Sequence, residues 1–186
     1  RSSPVISSLV FCLLLWYNRL MAEQNFEVYI AGPLFNADEN SHNRKLARMF
    51  REAGYQVFNP IEDGIEGATQ TNLSDDELLS TIFELDSERV RNARIFVANL
   101  NGAQVDDGTS VEIGIAAESQ RLRKLQELKV GVEVMIGYFN DTRTITPNMR
   151  RNPLPIGPFL KEPNVIFTTR KQIVVHAVET YPPRQS

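Results

Sequence analysis

The sequence has few of the residues that build metal centres, disulfide networks or nucleic-acid surfaces. It contains one cysteine, Cys12, and two histidines, His42 and His176, a set that excludes an internal disulfide and does not suggest a zinc site. Lys and Arg number 20 and Asp and Glu number 23, so the net charge is −3, and no basic stripe is present to neutralise a run of phosphates. We therefore expect no metal, no nucleic-acid polymer as a partner, and a location in the reducing cytoplasm.

Long apolar runs are also missing. The apolar segment at 9–17 is shorter than the ~20 residues that a membrane span requires, so we expect no membrane partner. This segment resembles the core of a signal peptide, whereas Met21, just before the first predicted strand, indicates a natural start. We predict that residues 1–20 are an N-terminal extension outside the domain, either upstream sequence or a targeting segment, and that residues 21–186 form a single domain.

Strand and helix signals alternate along the chain from Phe26. This order indicates a parallel sheet with helices on both faces, because parallel neighbours need long crossovers. The sequence therefore predicts an α/β fold, a doubly wound, flavodoxin- or Rossmann-like domain with a mainly parallel five-stranded sheet. Strands are predicted at 28–30, 55–59, 95–100, 132–139 and 164–167, and helices from Asp38 or Ser41 to Ala53, from Ser74 to about Asn92, from near Thr109, and at 171–181.

Two loops are expected to face each other at the carboxyl edge of this sheet. A strand order 2-1-3-4-5 places the ligand site between the first and third strands, where the loops are residues 32–36 and 99–108. The second loop leads into a helix whose first turn holds Glu112, where the helix dipole favours an ionised carboxylate by ~0.3–1 kcal/mol. Such a carboxylate is a ready nucleophile, although a glutamate early in a helix is also ordinary helix chemistry. Neither a Gly-x-Gly-x-x-Gly loop nor a Walker Lys-Ser/Thr pair is present, which disfavours dinucleotide and nucleoside-triphosphate sites.

Three motifs together are more specific than any single residue. They are Tyr-Ile-Ala-Gly-Pro-Leu-Phe at 29–35, Asp86 ahead of the strand at 95–100, and Asp-x-Gly-Thr-x-x-Glu-x-Gly at 106–114. This combination closely resembles the nucleoside 2-deoxyribosyltransferase family over about residues 26–120, and more loosely over the last strand and helix. The resemblance implies an enzyme, a nucleoside deoxyribosyltransferase without cofactor or metal, whose partners are 2′-deoxynucleosides and free nucleobases. It also implies a homo-oligomer, a dimer or a hexamer.

The resemblance assigns a role to each motif residue. The glutamate at the place of Glu112 attacks the anomeric carbon, and a second nucleobase then takes the sugar from the covalent deoxyribosyl-enzyme. By the same resemblance, Asp86 and Asp106 hold the base and manage its proton, Tyr29 positions the nucleophile and sugar, and Phe35 lines the base pocket. Four further motif residues are expected in the substrate-binding site: Gly32, Pro33, Gly108 and Thr109.

The chemistry of an N-glycosidic bond explains why carboxylates are needed. Cleavage builds oxocarbenium character on the sugar and negative charge on the departing base, so a nucleophile and an acid act on opposite ends. An aspartic acid that donates a proton at neutral pH needs a raised pKa, which burial near other carboxylates supplies. Two alternatives stay open: an N-glycosidase, in which water takes the second step, and a non-catalytic nucleotide-binding module on the same fold.

Two regions depart from the family pattern. After the second strand, where members often have a Gln or Asn that contacts the base, this chain offers Asn59, Glu62 or Asp63 without a clear match. Near the C-terminus, many members have an Asn-Leu-Met stretch that reaches into a neighbouring subunit's site, and residues 154–160 differ from it. Three nearby basic residues are candidates for binding a 5′-phosphate, although solvated loop charges are the simpler interpretation: Arg143, Arg150 and Arg151.

Overall fold

A five-stranded parallel sheet lies at the centre of the computed structural model, which describes residues 26–65, 73–102, 104–140 and 153–184. The strand order is β2-β1-β3-β4-β5, and every pairing is parallel. The predicted fold class and strand order are confirmed. The strands are β1 (Val28–Ala31), β2 (Val57–Phe58), β3 (Ile95–Asn99), β4 (Val134–Tyr138) and β5 (Val165–Phe167).

Helices connect the strands. The four long helices were all predicted, whereas the one-turn elements were not, because a single turn is too short to show an apolar period. The N-terminal extension at 1–20 lies outside the described residues. The helices are α1 (Ala37–Glu52), α2 (Pro60–Asp63), α3 (Asp75–Asn92), α4 (Asp107–Leu125), α5 (Pro153–Ile156) and α6 (Arg170–Thr180), with a 3₁₀ turn at Gly157–Leu160.

Helix caps fix where two of these helices begin. The Asn36 side chain accepts hydrogen bonds from the N–H groups of Asp38 and Glu39 at 3.1 and 2.9 Å. The predicted caps of α1, Asp38 and Ser41, are therefore wrong, since both lie inside the helix. At α3 the predicted capping box is confirmed: the Ser74 side chain and Glu77 satisfy each other's backbone N–H groups.

The sheet is buried on both faces, so its two sides form separate apolar layers. Alternate residues of β1 point to opposite sides, and Val28 packs with Phe50 and Ile173 of α1 and α6. Tyr29 packs on the other side, in the layer that contains Ile113 of α4. Among the described residues, no helix is both long and apolar enough to cross a membrane.

A buried ion cluster ties the amino ends of three strands to the C-terminal segment. Arg94 donates to Glu27 at 3.0 Å and to Glu133 at 3.1 Å, and also to the carbonyl of Pro182 at 2.9 Å. Because most of this cluster is shielded from water, its charges depend on one another for solvation. These contacts thus join the amino ends of β1, β3 and β4 to the C-terminal segment.

His42 of α1 lies in a semi-buried cluster on the α1 side of the sheet. Its ring lies 4.4 Å from that of Tyr138, and its Nδ1 accepts a hydrogen bond from Arg170 at 2.8 Å. Burial, with the nearby charges of Arg170 and Lys45, lowers the pKa of His42 from 6.5 to about 4. The folded protein therefore holds this imidazole neutral at pH 5, where the unfolded chain holds it protonated.

We expect His42 to make the protein less stable in weak acid. The unfolded state binds the extra proton, so stability falls as pH drops below 6.5, by about 1–2 kcal/mol between pH 7 and pH 5 after allowing for partial exposure. Urea denaturation at the two pH values measures this loss. His42→Asn keeps an acceptor for Arg170 and should flatten the dependence, and an unchanged slope in that variant would contradict the assignment.

Candidate active site

Tyr29 and Glu112 meet at the carboxyl edge of the sheet. The Tyr29 hydroxyl donates a hydrogen bond to Glu112 Oε1, although the two residues are 83 positions apart. Tyr29 comes from β1 and Glu112 from α4, which follows β3 in the chain. The contact therefore spans the point where strand order reverses, as the predicted site location requires.

Glu112 lies deeper in its helix than the sequence predicted. Because α4 begins at Asp107, Glu112 is in the second turn and not the first, which corrects the expectation. The dipole effect falls off within the first turn, so it contributes less to this carboxylate than expected. The hydroxyl of Tyr29 holds the carboxylate instead.

An aromatic ladder fixes the position of Tyr29. Its ring is stacked on Phe58 of β2 at 5.5 Å and on Phe96 of β3 at 5.9 Å, with interplanar angles of 19° and 11°. All three residues share one register position across the sheet, and the Tyr29 side chain is fully buried. Phe58 and Phe96 were not identified from the sequence as residues that support Tyr29. The signal that could have found them is an aromatic residue in each of three strands that are predicted to be neighbours.

Asp106 is the N-cap of α4. Its Oδ2 accepts from the backbone N–H and the hydroxyl of Thr109, each at 3.0 Å. Thr109 is 1% exposed, and its two hydrogen bonds support Asp106; its substrate-binding role stays a prediction. A Cβ on Gly108 would lie 3.4 Å from Asp106 Oδ2, an ordinary contact, so available space does not by itself require glycine there.

The loop after β1 carries three further motif residues at the same edge: Gly32, Pro33 and Phe35. An added Cβ on Gly32 would come within 2.9 Å of Asn43 and 3.2 Å of Asn99, so any larger residue here requires the Asn43 side chain to shift. Pro33 follows, half-buried. Phe35 is 84% exposed, an aromatic ring available to cover a flat ligand. Asp86 lies half-buried on α3, the helix packed against α4.

The three residues after β2 that were candidates for a base contact bind Arg51 and one another. Arg51 of α1 binds Glu62 at 2.6 Å and Asp63 at 2.8 Å. Asn59 donates from its backbone to Asp63 and from its side chain to Glu62. Burial raises the pKa of Glu62, but hydrogen bonds from Arg51 and Asn59 outweigh it and the pKa is lowered. For Asp63, burial outweighs the Asn59 and Arg51 contacts, so the pKa is raised.

Two other predictions concern the C-terminal region. Residues 154–160 form a short helix and a 3₁₀ turn, in which Phe159 is buried in the core and Leu154 is exposed. The three candidate phosphate ligands lie outside the described residues: Arg143, Arg150 and Arg151. Within 26–65, 73–102, 104–140 and 153–184, no group of three or more His, Cys, Asp or Glu side chains is placed to hold a metal ion.

A family model for nucleoside 2-deoxyribosyltransferases matches residues 28–175. The chain belongs to the nucleoside 2-deoxyribosyltransferase family. This match includes every site residue predicted from the motifs, and it extends through the last strand into α6. No curated protein matches the chain.

Solved structures share the fold of this nucleoside 2-deoxyribosyltransferase family member. A conserved protein from Enterococcus faecalis V583 is 17% identical with a TM-score of 0.64, over 83% of this chain and 98% of that one. The 2-deoxyribosyltransferase of Bacillus psychrosaccharolyticus is 20% identical with a TM-score of 0.55, over 86% and 98%. The Leishmania mexicana 2-desoxiribosyltransferase is 17% identical with a TM-score of 0.54, over 83% and 97%. At these identities the likeness shows the fold alone.

Tyr29→Phe is expected to slow this family member without unfolding it. The phenylalanine ring keeps both stacking contacts, while Glu112 loses its hydroxyl donor. A hydrogen bond to a charged group contributes about 1.5–3 kcal/mol, so kcat/KM for deoxynucleoside cleavage should fall roughly 10- to 100-fold.

Tyr55→Phe is the matched control for this variant. Tyr55 is also buried, but its hydroxyl donates to the Tyr181 carbonyl at 2.9 Å, away from Glu112. Steady-state kinetics should show near-normal activity for Tyr55→Phe. Equal activity losses in the two variants would contradict a role of Tyr29 in positioning Glu112.

Proposed function

We propose that the protein transfers the 2-deoxyribosyl group between nucleobases through a covalent intermediate on Glu112. The observation that supports this most directly is the hydrogen bond from the buried Tyr29 hydroxyl to the Glu112 carboxylate. A carboxylate held in one orientation at the ligand edge of the sheet suits nucleophilic attack. The motif resemblance supplies the substrate class.

The first displacement forms the glycosyl-enzyme. A Glu112 oxygen bonds to C1′ of the deoxynucleoside as the bond from C1′ to the base nitrogen breaks. The bonding electron pair leaves with the base, which takes a proton from Asp106 or Asp86. In this proposal Phe35, which is exposed on the facing loop, covers the plane of the base.

The second displacement releases the product. A nitrogen of the incoming base attacks C1′, the ester bond to Glu112 breaks, and the proton of the incoming base passes to the carboxylate that donated one. Two inversions at C1′ retain the β configuration. Atoms and charges balance in this cycle without a cofactor or metal.

Product analysis distinguishes transfer from the alternatives. The protein is incubated with deoxyinosine and adenine, and the products are separated by chromatography. Deoxyadenosine and hypoxanthine are expected. Free deoxyribose and hypoxanthine without deoxyadenosine would assign the protein as a hydrolase, and no cleavage would leave only a binding function.

We expect discrimination against ribonucleosides. A ribose 2′-hydroxyl projects on the side from which Glu112 approaches C1′, and it withdraws electrons from the developing oxocarbenium ion. Both effects act in the transition state, so kcat/KM for adenosine should be lower than for deoxyadenosine by roughly 10- to 100-fold. Comparable values for the two donors would contradict the deoxyribosyl assignment and favour a general nucleosidase.

A further inference from the structure

Three asparagine side chains lie beside the loops at the carboxyl edge, and none of them takes part in the proposed chemistry. The first is Asn43 of α1, which is fully buried and donates from Nδ2 to the Pro33 carbonyl at 3.2 Å. Gly32 lies between Asn43 and Asn99, since an added Cβ would be 2.9 Å from Asn43 Oδ1 and 3.2 Å from Asn99 Cβ. The loop after β1 is thus hydrogen-bonded by Asn43 on one side and lies against Asn99 on the other.

Two of these asparagines link the carboxyl ends of β3 and β4. Asn99 Oδ1 accepts from the backbone N–H of Asn101 at 3.1 Å and from its side-chain amide at 2.8 Å. Asn101 Oδ1 in turn accepts from the backbone N–H of Asn140, just beyond β4, at 2.9 Å. We call Asn43, Asn99 and Asn101 the asparagine brace.

The brace acts where the predicted ligand site lies. Ala31 and Ala98 are the last pair in the ladder between β1 and β3, so Gly32, just past β1, and Asn99, the last residue of β3, lie directly beyond it. One loop leads to exposed Phe35 and the other to Asp106, the two residues proposed to contact the base. The separation of these loops therefore sets the width of the space for a nucleobase.

A buried oxygen of Asn43 without a hydrogen-bond partner indicates that the brace does more than fill space in the core. Asn43 Oδ1 is buried and has no hydrogen-bond partner among the described residues. Buried polar atoms nearly always have partners, so each exception calls for an explanation. An apolar side chain at position 43 would pack beside Gly32 without burying an unpaired oxygen, but it would not donate a hydrogen bond to the Pro33 carbonyl.

We propose that Asn43 and Asn99 are positioning residues that set the width of the nucleobase cleft and thereby its preference between pyrimidines and purines. This inference rests on the proposed function. Without the brace the two loops separate, and the wider cleft favours the larger purine ring.

Asn43→Ala and Asn99→Ala test the brace. For each variant, kcat/KM is measured with deoxyadenosine and deoxycytidine as donors, and adenine and cytosine affinities by calorimetry. The ratio of purine to pyrimidine kcat/KM should rise by roughly 5-fold or more. The double variant should change the ratio less than the product of the single effects, because both side chains lie against Gly32.

Asn164→Ala is the matched control. Asn164 also donates to a proline carbonyl, that of Pro158 at 2.9 Å, and joins Gln120 of α4 to the backbone of β4. It precedes β5, at the amino edge, so its loss should lower stability and leave the base ratio unchanged. Thermal denaturation of all variants separates lost stability from altered preference.

The outcomes of this experiment are distinct. An unchanged base ratio in Asn43→Ala, or an equal change in Asn164→Ala, overturns the proposal. If Asn43→Ala does not fold, Asn99→Ala decides in the same way. If the unaltered protein cleaves no deoxynucleoside, the proposed function fails. The adenine and cytosine affinities then test whether the brace sets the cleft width. An unchanged ratio of these affinities in the variants overturns the proposal.

Discussion

Glu112→Gln is expected to reduce deoxynucleoside cleavage by about 10³-fold or more, because the amide cannot form the covalent bond to C1′. Glutamine has the shape of glutamate and its oxygen still accepts the Tyr29 hydrogen bond. Glu112 is only half-buried, so the free energy of unfolding should change little. Single-turnover kinetics and urea denaturation measure the two effects separately.

Glu118→Gln is the control for this variant. Glu118 lies on the same helix but is exposed and pairs with Arg121 at 2.7 Å, so its loss should leave the rate near normal. Residual activity above a few per cent in Glu112→Gln would contradict the covalent mechanism. A loss of activity accompanied by equal unfolding would instead indicate a structural role.

Asp106→Asn is expected to slow the reaction strongly while leaving the helix intact. Asparagine caps helices as well as aspartate does, so the bonds from Thr109 to Oδ2 have an equivalent acceptor. The amide cannot exchange a proton with the base, and general acid catalysis contributes typically ~10²–10⁴-fold. The loss should be largest for bases that are poor leaving groups. Equal losses for good and poor leaving groups would mean that Asp106 only binds the base.

Asp106→Ala separates the cap from the chemistry. Alanine removes both functions of the side chain, so this variant should match the slow rate of Asp106→Asn and also lose about 0.5–2 kcal/mol of stability. Thermal denaturation of the two variants measures the difference. Equal stability would contradict the contribution of the Asp106 cap to α4.

The fold was largely predictable because its signals are local. The apolar run of β3 and the Ser74 capping box lie within single segments, and both are present in the structure. The start of α1 was wrong because polar residues that favour caps lie close together there. Which one becomes the cap depends on where the loop after β1 turns into the helix, and in the structure this is at Asn36.

The site was predicted in outline, and its details depend on contacts between distant residues. The stacking of Tyr29 on Phe58 and Phe96 follows from strand register, and its pairing with Glu112 follows from how α4 packs on the sheet. Local sequence contains neither. The burial of Thr109 depends on where α4 begins, which is at Asp107. The transfer step, the homo-oligomer, the cytoplasmic location and the role of each carboxylate stay predictions.

Intact-mass spectrometry with a slow 2-fluoro-2-deoxy nucleoside tests the central claim most directly. The fluorine destabilises the oxocarbenium-like transition state and slows the release of the sugar, so the glycosyl-enzyme accumulates. We predict a mass increase equal to one fluorinated sugar per chain, mapped by peptide sequencing to Glu112 and absent in Glu112→Gln. Substrate turnover with no adduct, or an adduct on another residue, would contradict the proposal that Glu112 is the nucleophile.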